Sequence, residues 1–310
     1  MSRESAANTE YTSDGKPCQT KRIQARMSDV GGIPVARTLP TKEQRTIGPW
    51  CFLDHAGPVT FSADEAGMQV GPHPHTCLQT FTWMLAGEVL HRDSLGNRQI
   101  IRPGQVNLMT AGQGISHTEE SVFSTESERE LHAAQLWIAM PESEQDSAPA
   151  FEHYPDLPVI HRGDVTLTLL IGEFAGQTAP TRTYLPIVGI DMLFDADDEI
   201  SVNLESDFEY GITALVGGFS MAGESYEQDE LAVLATGHQQ ASIAAKTGSR
   251  LLLIGGKPLV KPITIWWNYV GYNKDYIRQA QEDWHAQHER FGNVPNSNAA
   301  RMQGPEVPWR

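Results

Sequence analysis

The chain has 310 residues and is 40% hydrophobic, enough for one large globular domain or two ordinary ones. Its formal charge of −16, from 23 basic and 39 acidic residues, repels phosphate backbones, and no basic stripe offsets it, so direct nucleic-acid binding is not expected. No apolar run reaches the roughly 18 residues of a membrane span, the N-terminus lacks a secretory apolar core, and Cys18, Cys51 and Cys77 show no paired spacing; a reducing, cytoplasmic setting is expected.

In chain order, residues 1–28 are rich in Ser, Thr, Asn and Lys without periodicity and read as a flexible arm. Residues 29–140 hold short β-like runs, among them IPVART, GPWCFLDH, LQTFTWML, GEVLHRD, RQIIRPG, QVNLMTAG and ELHAAQLWIAM. Gly, Pro, Asn or Asp bounds these runs at a spacing of roughly 8 to 14 residues, which suits an antiparallel sandwich or barrel. Residues 141–158, PESEQDSAPAFEHYPDLP, are acidic and proline-bearing and read as a linker. A second β-rich stretch covers 159–262, with DVTLTLLIGEF, EISVNLES, YGITALVGGFSM and SRLLLIGG among its runs. Within 263–310, Tyr276, Ile277, Ala280 and Trp284 fall at helical spacing before Gly292, and an irregular tail follows. The expected fold is all-β, with two barrels in tandem and a C-terminal helix.

The chemistry concentrates in GPHPHTCLQTFTWMLAG, residues 71–87. If this segment is extended throughout, His73, His75, Cys77, Gln79, Phe81 and Trp83 share one face. Further on, MTAGQGISHTEES places His117 and Glu119 at the same alternate-residue spacing. Three imidazoles and a carboxylate converging on one point would hold a divalent transition metal. Nitrogen and oxygen ligands without thiolate suit iron, manganese, nickel or copper better than a structural zinc. An HxH pair alone is a weak signal, more often ordinary loop sequence than a ligand pair. The joint reading gains from Gly67, Gly87, Gly104, Gly112 and Gly114, which punctuate both segments where tight barrel corners are needed. Cys77 reads as a small buried filler and His55 as a loop residue bonded locally. Phe81, Trp83 and Trp137 read as core that could border a planar substrate.

These segments resemble the two signature motifs of the cupin barrel, and more narrowly the pirin family. Gly67, His73-Pro74-His75 and Gly87 look like the first motif, and GNRQIIRPGQVNLMTAGQGISHTEE, residues 96–120, looks like the second in its pirin form. RTLP, GPWCFLDHAGPV, ELHAAQLWIAMP, LLLIGGKPLVKPI and QAQEDWHAQHERFG extend the likeness in order, over about residues 33–292. The resemblance implies a bicupin: an N-terminal metal-binding cupin barrel over 29–140 and a metal-free one over 159–262. It maps the ligands onto His73, His75, His117 and Glu119, usually around iron as Fe(II), with manganese, nickel, copper or zinc as alternatives. His238 stands alone in the second half.

Some pirins cleave the flavonol quercetin with dioxygen, and others act as transcription coregulators. The resemblance thus implies either a quercetinase-like dioxygenase acting on a small aromatic substrate, with Glu119 accepting its proton, or a non-catalytic metal-bearing protein that signals to a protein partner. A cupin isomerase is a third class, made less fitting by the pirin-like motifs. The sequence departs from the family at Thr76-Cys77 for Arg-Gly, at Gln79 for an acidic residue expected to face the barrel interior, and at Trp266-Trp267-Asn268-Tyr269 for a Gly-Pro-Phe turn. A neutral Gln79 cannot take a proton, so Gln79→Glu is expected to raise turnover.

Overall fold

Apolar alternation along the strands builds two antiparallel sheets that meet back to back. The computed structural model of the chain describes residues 19–123 and 129–309. In the first half the strand order is Ala150–Tyr154, Val106–Thr110, Leu78–Asp93, Glu130–Ala139, Trp50–Thr60, Ile33–Leu39 and Arg26–Val30. The long strand Leu78–Asp93 leaves this sheet at its far end, where it pairs with Ile115–Val122, which in turn pairs with Gln69–His75. That turn-over closes the first barrel around the histidine segments.

The second half repeats the plan, with Ile187–Phe194, Arg250–Gly256 and Glu209–Val216 at the centre of its large sheet. Its interior is filled by apolar side chains such as Leu169, Phe194, Ile212, Tyr226 and Leu253. Between the barrels, Trp50, Phe81, Trp83 and Leu136 pack against Ile171, Leu215, Leu252 and Ile254. Burial of this seam would leave two indole N–H groups unsatisfied, but Trp50 donates to the Gly255 carbonyl (3.1 Å) and Trp83 to Asp191 Oδ1 (3.1 Å). Both bonds cross from one barrel to the other.

The alternation expected over 73–85 does not hold. Strand Gln69–His75 ends and Leu78–Asp93 begins across Thr76-Cys77, where Cys77 has φ +54°, in the left-handed region. One residue in that conformation shifts the side-chain phase. Thr80 and Thr82 therefore face the first barrel's interior, while Phe81 and Trp83 face the seam. A bulge against His132-Ala133 shifts the phase again, so Val89 and His91 point back inward.

Two domain expectations are corrected. Part of the 1–28 arm lies outside the described residues, but Thr20–Gln24 is a strand paired with Glu230–Leu234 of the second barrel, and Arg26–Val30 pairs with Ile33–Leu39. A single apolar side chain, Ile23, anchors the first of these in the seam, which is too little periodicity to read in sequence. The segment 141–158 is no plain linker. Its Ala150–Tyr154 forms the edge strand on Val106–Thr110, and His153 bonds Asn107 Oδ1 at 2.7 Å. The expected helix is present as Lys274–His285, capped by Asn273, with Ile277, Ala280 and Trp284 buried. The tail beyond it folds back: Met302 N donates to the Pro72 carbonyl (2.8 Å), beside His73.

Candidate metal centre

Antiparallel pairing places His73 directly opposite His117, and Glu119 opposite Val70 on one side and His91 on the other. His73, His75 and His117 are all buried, and one ring nitrogen from each lies within 4.8 Å of the others. The sequence-predicted histidines are thus brought together. Glu119 groups instead with His117 and His91 at the same separation. His91 was not in the predicted set. Its signal was its place in the inward-facing phase of GEVLHRD, hidden by the bulge.

Hydrogen bonding fixes which nitrogen each ring offers. His73 Nδ1–H donates to the Gly71 carbonyl (2.9 Å) and His75 Nδ1–H to the Asn268 carbonyl (3.0 Å), because a carbonyl can only accept. His91 Nε2–H donates to the Asp93 carboxylate (3.2 Å), so a neutral His91 has a lone pair at Nδ1. That lone pair faces His117 Nδ1 at 3.4 Å, where a proton on His117 Nδ1 is bonded, whereas a proton on His117 Nε2 is shared with His75 Nε2. With the His117 proton on Nδ1, all three rings present bare Nε2 atoms to the same space, those of His75 and His117 being 3.1 Å apart. Burial, and then the neighbouring imidazoles, hold His75 and His117 well below the ordinary imidazole range, and burial pushes His73 down to about 4. Neutral rings aiming lone pairs at one another suit a cation between them and little else.

The carboxylates are placed differently. Burial pushes the Glu119 carboxyl up to about 7, a cost that an adjacent cation would remove. Burial would likewise raise Asp93, but its bonds with His91 and Asn97 hold it below the usual range. Asp93 also accepts from the Leu95 and Asn97 backbone N–H groups (2.9 and 3.0 Å), and His91 stacks on Phe151 at 4.3 Å. The order Asp93, His91, His117 is therefore held from behind.

The three histidines and Glu119 line a cavity of about 770 Å³. Phe52 and Trp137, stacked with centroids 4.0 Å apart, form part of its wall, and Thr80, Thr82 and Gln135 add polar groups. Arg37 grips Asp54 with two 2.6 Å bonds in the same wall and lies over the Phe52 ring. Trp267, Asn268 and the tail residues Ala300 and Met302 complete it from outside the barrel.

Gln79 does not join the site: buried on the seam-facing phase, it donates to Thr110 Oγ1 (3.0 Å). Cys77 is fully buried, as a filler should be. His55 is not a local loop residue. It contacts Asp229 of the second barrel through Nδ1 (2.6 Å) and His132 through Nε2 (2.7 Å). A neutral His55 that donates to Asp229 must accept from His132. His238 bonds the Ala235 carbonyl (2.8 Å) and joins no cluster of ligand type among the described residues.

Two such β-domains in one chain, with convergent histidines in the first among the described residues, define a bicupin. Comparison with known proteins narrows this. The Pirin family profile matches residues 32–138, and that of the Pirin C-terminal cupin domain matches residues 189–292. A Pseudomonas aeruginosa protein, provisionally named a quercetin 2,3-dioxygenase, is 49% identical over 291 residues, 94% of this chain and 91% of that one. The crystal structure of a quercetin 2,3-dioxygenase from Acinetobacter baumannii matches with TM-score 0.90 and 46% identity, over 94% of this chain and 96% of that one. The Escherichia coli pirin YhhW, solved with nickel(II), shares the fold at TM-score 0.62 and 21% identity, over 78% of this chain and 100% of that one. The chain belongs to the pirin family.

Proposed function

We propose that this protein is a metal-dependent oxygenase that opens a flavonol-like substrate with dioxygen, its metal held by His73, His75, His117 and Glu119. The observation that carries the metal is the convergence of three buried imidazoles, with Nδ1 of His73 and of His75 committed to carbonyls and one ring nitrogen of each histidine within 4.8 Å of the others. Iron is the expected ion, since imidazole and carboxylate donors suit a redox-active divalent metal with open positions. When bound, such an ion supplies Lewis acidity toward a phenolic oxygen and a place for dioxygen.

The chain's own residues do the rest. The Phe52–Trp137 pair offers a flat apolar surface and excludes water. Glu119 accepts the proton of the substrate hydroxyl. Burial raises its carboxyl pKa and a bound cation lowers it again, so in the metal-loaded site it serves as a carboxylate placed beside the histidines, with reduced basicity. The names of the P. aeruginosa and A. baumannii relatives support the substrate class. The alternative, a metal-bearing coregulator, rests on the pirin resemblance, with the acidic net charge favouring a protein partner over DNA. The test mixes metal-loaded protein with quercetin under air, following oxygen uptake and loss of the flavonol absorption band. Neither change under air, with no spectral shift anaerobically, would remove the oxygenase reading.

A further inference from the structure

Strands Thr264–Trp266 and Tyr269–Gly271 form a small hairpin in which Trp266 pairs with Tyr269, leaving Trp267-Asn268 as a two-residue turn. Trp267 has φ +50°. Two-residue hairpin turns with a left-handed first position favour Gly there, and a bulky residue costs on the order of 1 kcal/mol or more. A strained conformation persists only where the surroundings over-determine it. Here they do. The Trp267 ring lies edge-on to Tyr269 (5.7 Å), and a Cβ added to Gly304 would come within 2.4 Å of the indole, so the tail backbone rests directly on the ring.

The strain has a functional location. Trp267 lines the cavity that holds the histidines, and the next residue, Asn268, supplies the carbonyl that fixes His75 Nδ1. The turn thus ties an aromatic wall to a ligand-orienting carbonyl across one peptide unit, which sets how far the indole stands from the histidine cluster. The opposite supply of aromatic surface comes from the barrel strands, through Phe52 and Trp137.

We propose that Trp267 is a specificity-determining residue, an aromatic wall of the cavity on which the part of a planar substrate not held at the histidines packs. The proposal rests on the substrate class given under Proposed function. It predicts discrimination by size: a flavonol whose second ring system extends beyond the histidine cluster packs on the Trp267 indole, and a single-ring catechol does not.

The experiment compares wild type with Trp267→Gly and Trp267→Phe, all metal-loaded and anaerobic, titrated with quercetin and with catechol by absorption. Gly is the residue that the φ of this turn favours, so Trp267→Gly is compatible with the fold; a melting curve and metal content check this. Quercetin Kd should rise roughly tenfold in Trp267→Gly, as expected for loss of one buried aromatic contact, and stay within about threefold in Trp267→Phe. Catechol Kd and metal content should stay at wild-type values in both. Unchanged or tighter quercetin binding in Trp267→Gly overturns the proposal, as does a catechol Kd that shifts equally. Wild type that binds quercetin anaerobically but takes up no oxygen when air is then admitted overturns the oxygenase reading and leaves this one standing; wild type that binds neither compound overturns both.

Discussion

The Nε2 atoms of His75 and His117 face each other across 3.1 Å, and the other nitrogen of each ring is already engaged, His75 with the Asn268 carbonyl and His117 with His91. With both ring protons on Nδ1, two lone pairs at that separation repel unless something positive lies between them. The Asn268 carbonyl, the strand carrying His91 and the two strands carrying the histidines together enforce the arrangement. Most of the expected behaviour of the protein follows from that enforced repulsion and its relief by a cation.

His91→Phe keeps a ring against Phe151 and removes the acceptor that orients His117. Metal affinity should fall roughly tenfold to a hundredfold, as for other residues that support a ligand from behind. The melting temperature of the metal-free form should change little, because Asp93 retains Asn97 and two backbone donors. Chelator competition measures the first effect and calorimetry the second. An unchanged affinity would show that His117 needs no support.

Gln79→Glu should not raise turnover, contrary to the expectation from the family pattern. The side chain lies on the seam-facing phase beside Thr110, away from the cavity. A carboxylate there is buried without a cationic partner and should cost about 2 kcal/mol or more of stability. Denaturant unfolding reads the loss; faster turnover at wild-type stability would contradict the placement.

His132 links pH to stability. Burial, with His55 and Arg250 adding, pushes it down to about 4, and Asp229 opposes. Its folded value lies below the unfolded one of about 6.5, so its contribution is complete above pH 6.5 and is lost as pH falls toward 4. His132→Gln should therefore flatten the decline in unfolding free energy over that window, by on the order of 2 kcal/mol at its acid end. The same acid slope in both proteins would exclude His132 as a source.

Chelation should lower the melting temperature without unfolding the chain at room temperature. Two filled apolar clusters, one inside the second barrel and one in the seam, are independent of the histidines. The shift should follow the linkage for one bound ligand and grow with free metal concentration.

The β character, the two-barrel plan, the helix and the three convergent histidines were legible in the sequence, because alternation and turn residues are local signals. Residues beyond Cys77 were misplaced because a left-handed residue, which alternation does not encode, shifted the phase; Gln79 moved to the seam and Thr80 and Thr82 to the cavity. His91 was hidden by a bulge of the same kind. The strand Thr20–Gln24 could not be read because its partner lies some 200 residues away on the other barrel, as the pairing Thr20–Leu234 shows. Nor could the tail, whose contacts are one-off bonds such as Met302 N to Pro72.

The central claim is that the three bare Nε2 atoms and Glu119 hold one transition metal. The direct measurement is elemental analysis of protein purified without chelator or added metal, in wild type, His117→Ala and the double variant His73→Ala, His117→Ala. Close to one ion per chain is expected in wild type, a heavy loss in His117→Ala, and next to none in the double variant. Full occupancy in the double variant, or a wild-type chain that stays empty after incubation with Fe(II), Mn(II), Ni(II), Cu(II) and Zn(II) in turn, would contradict it.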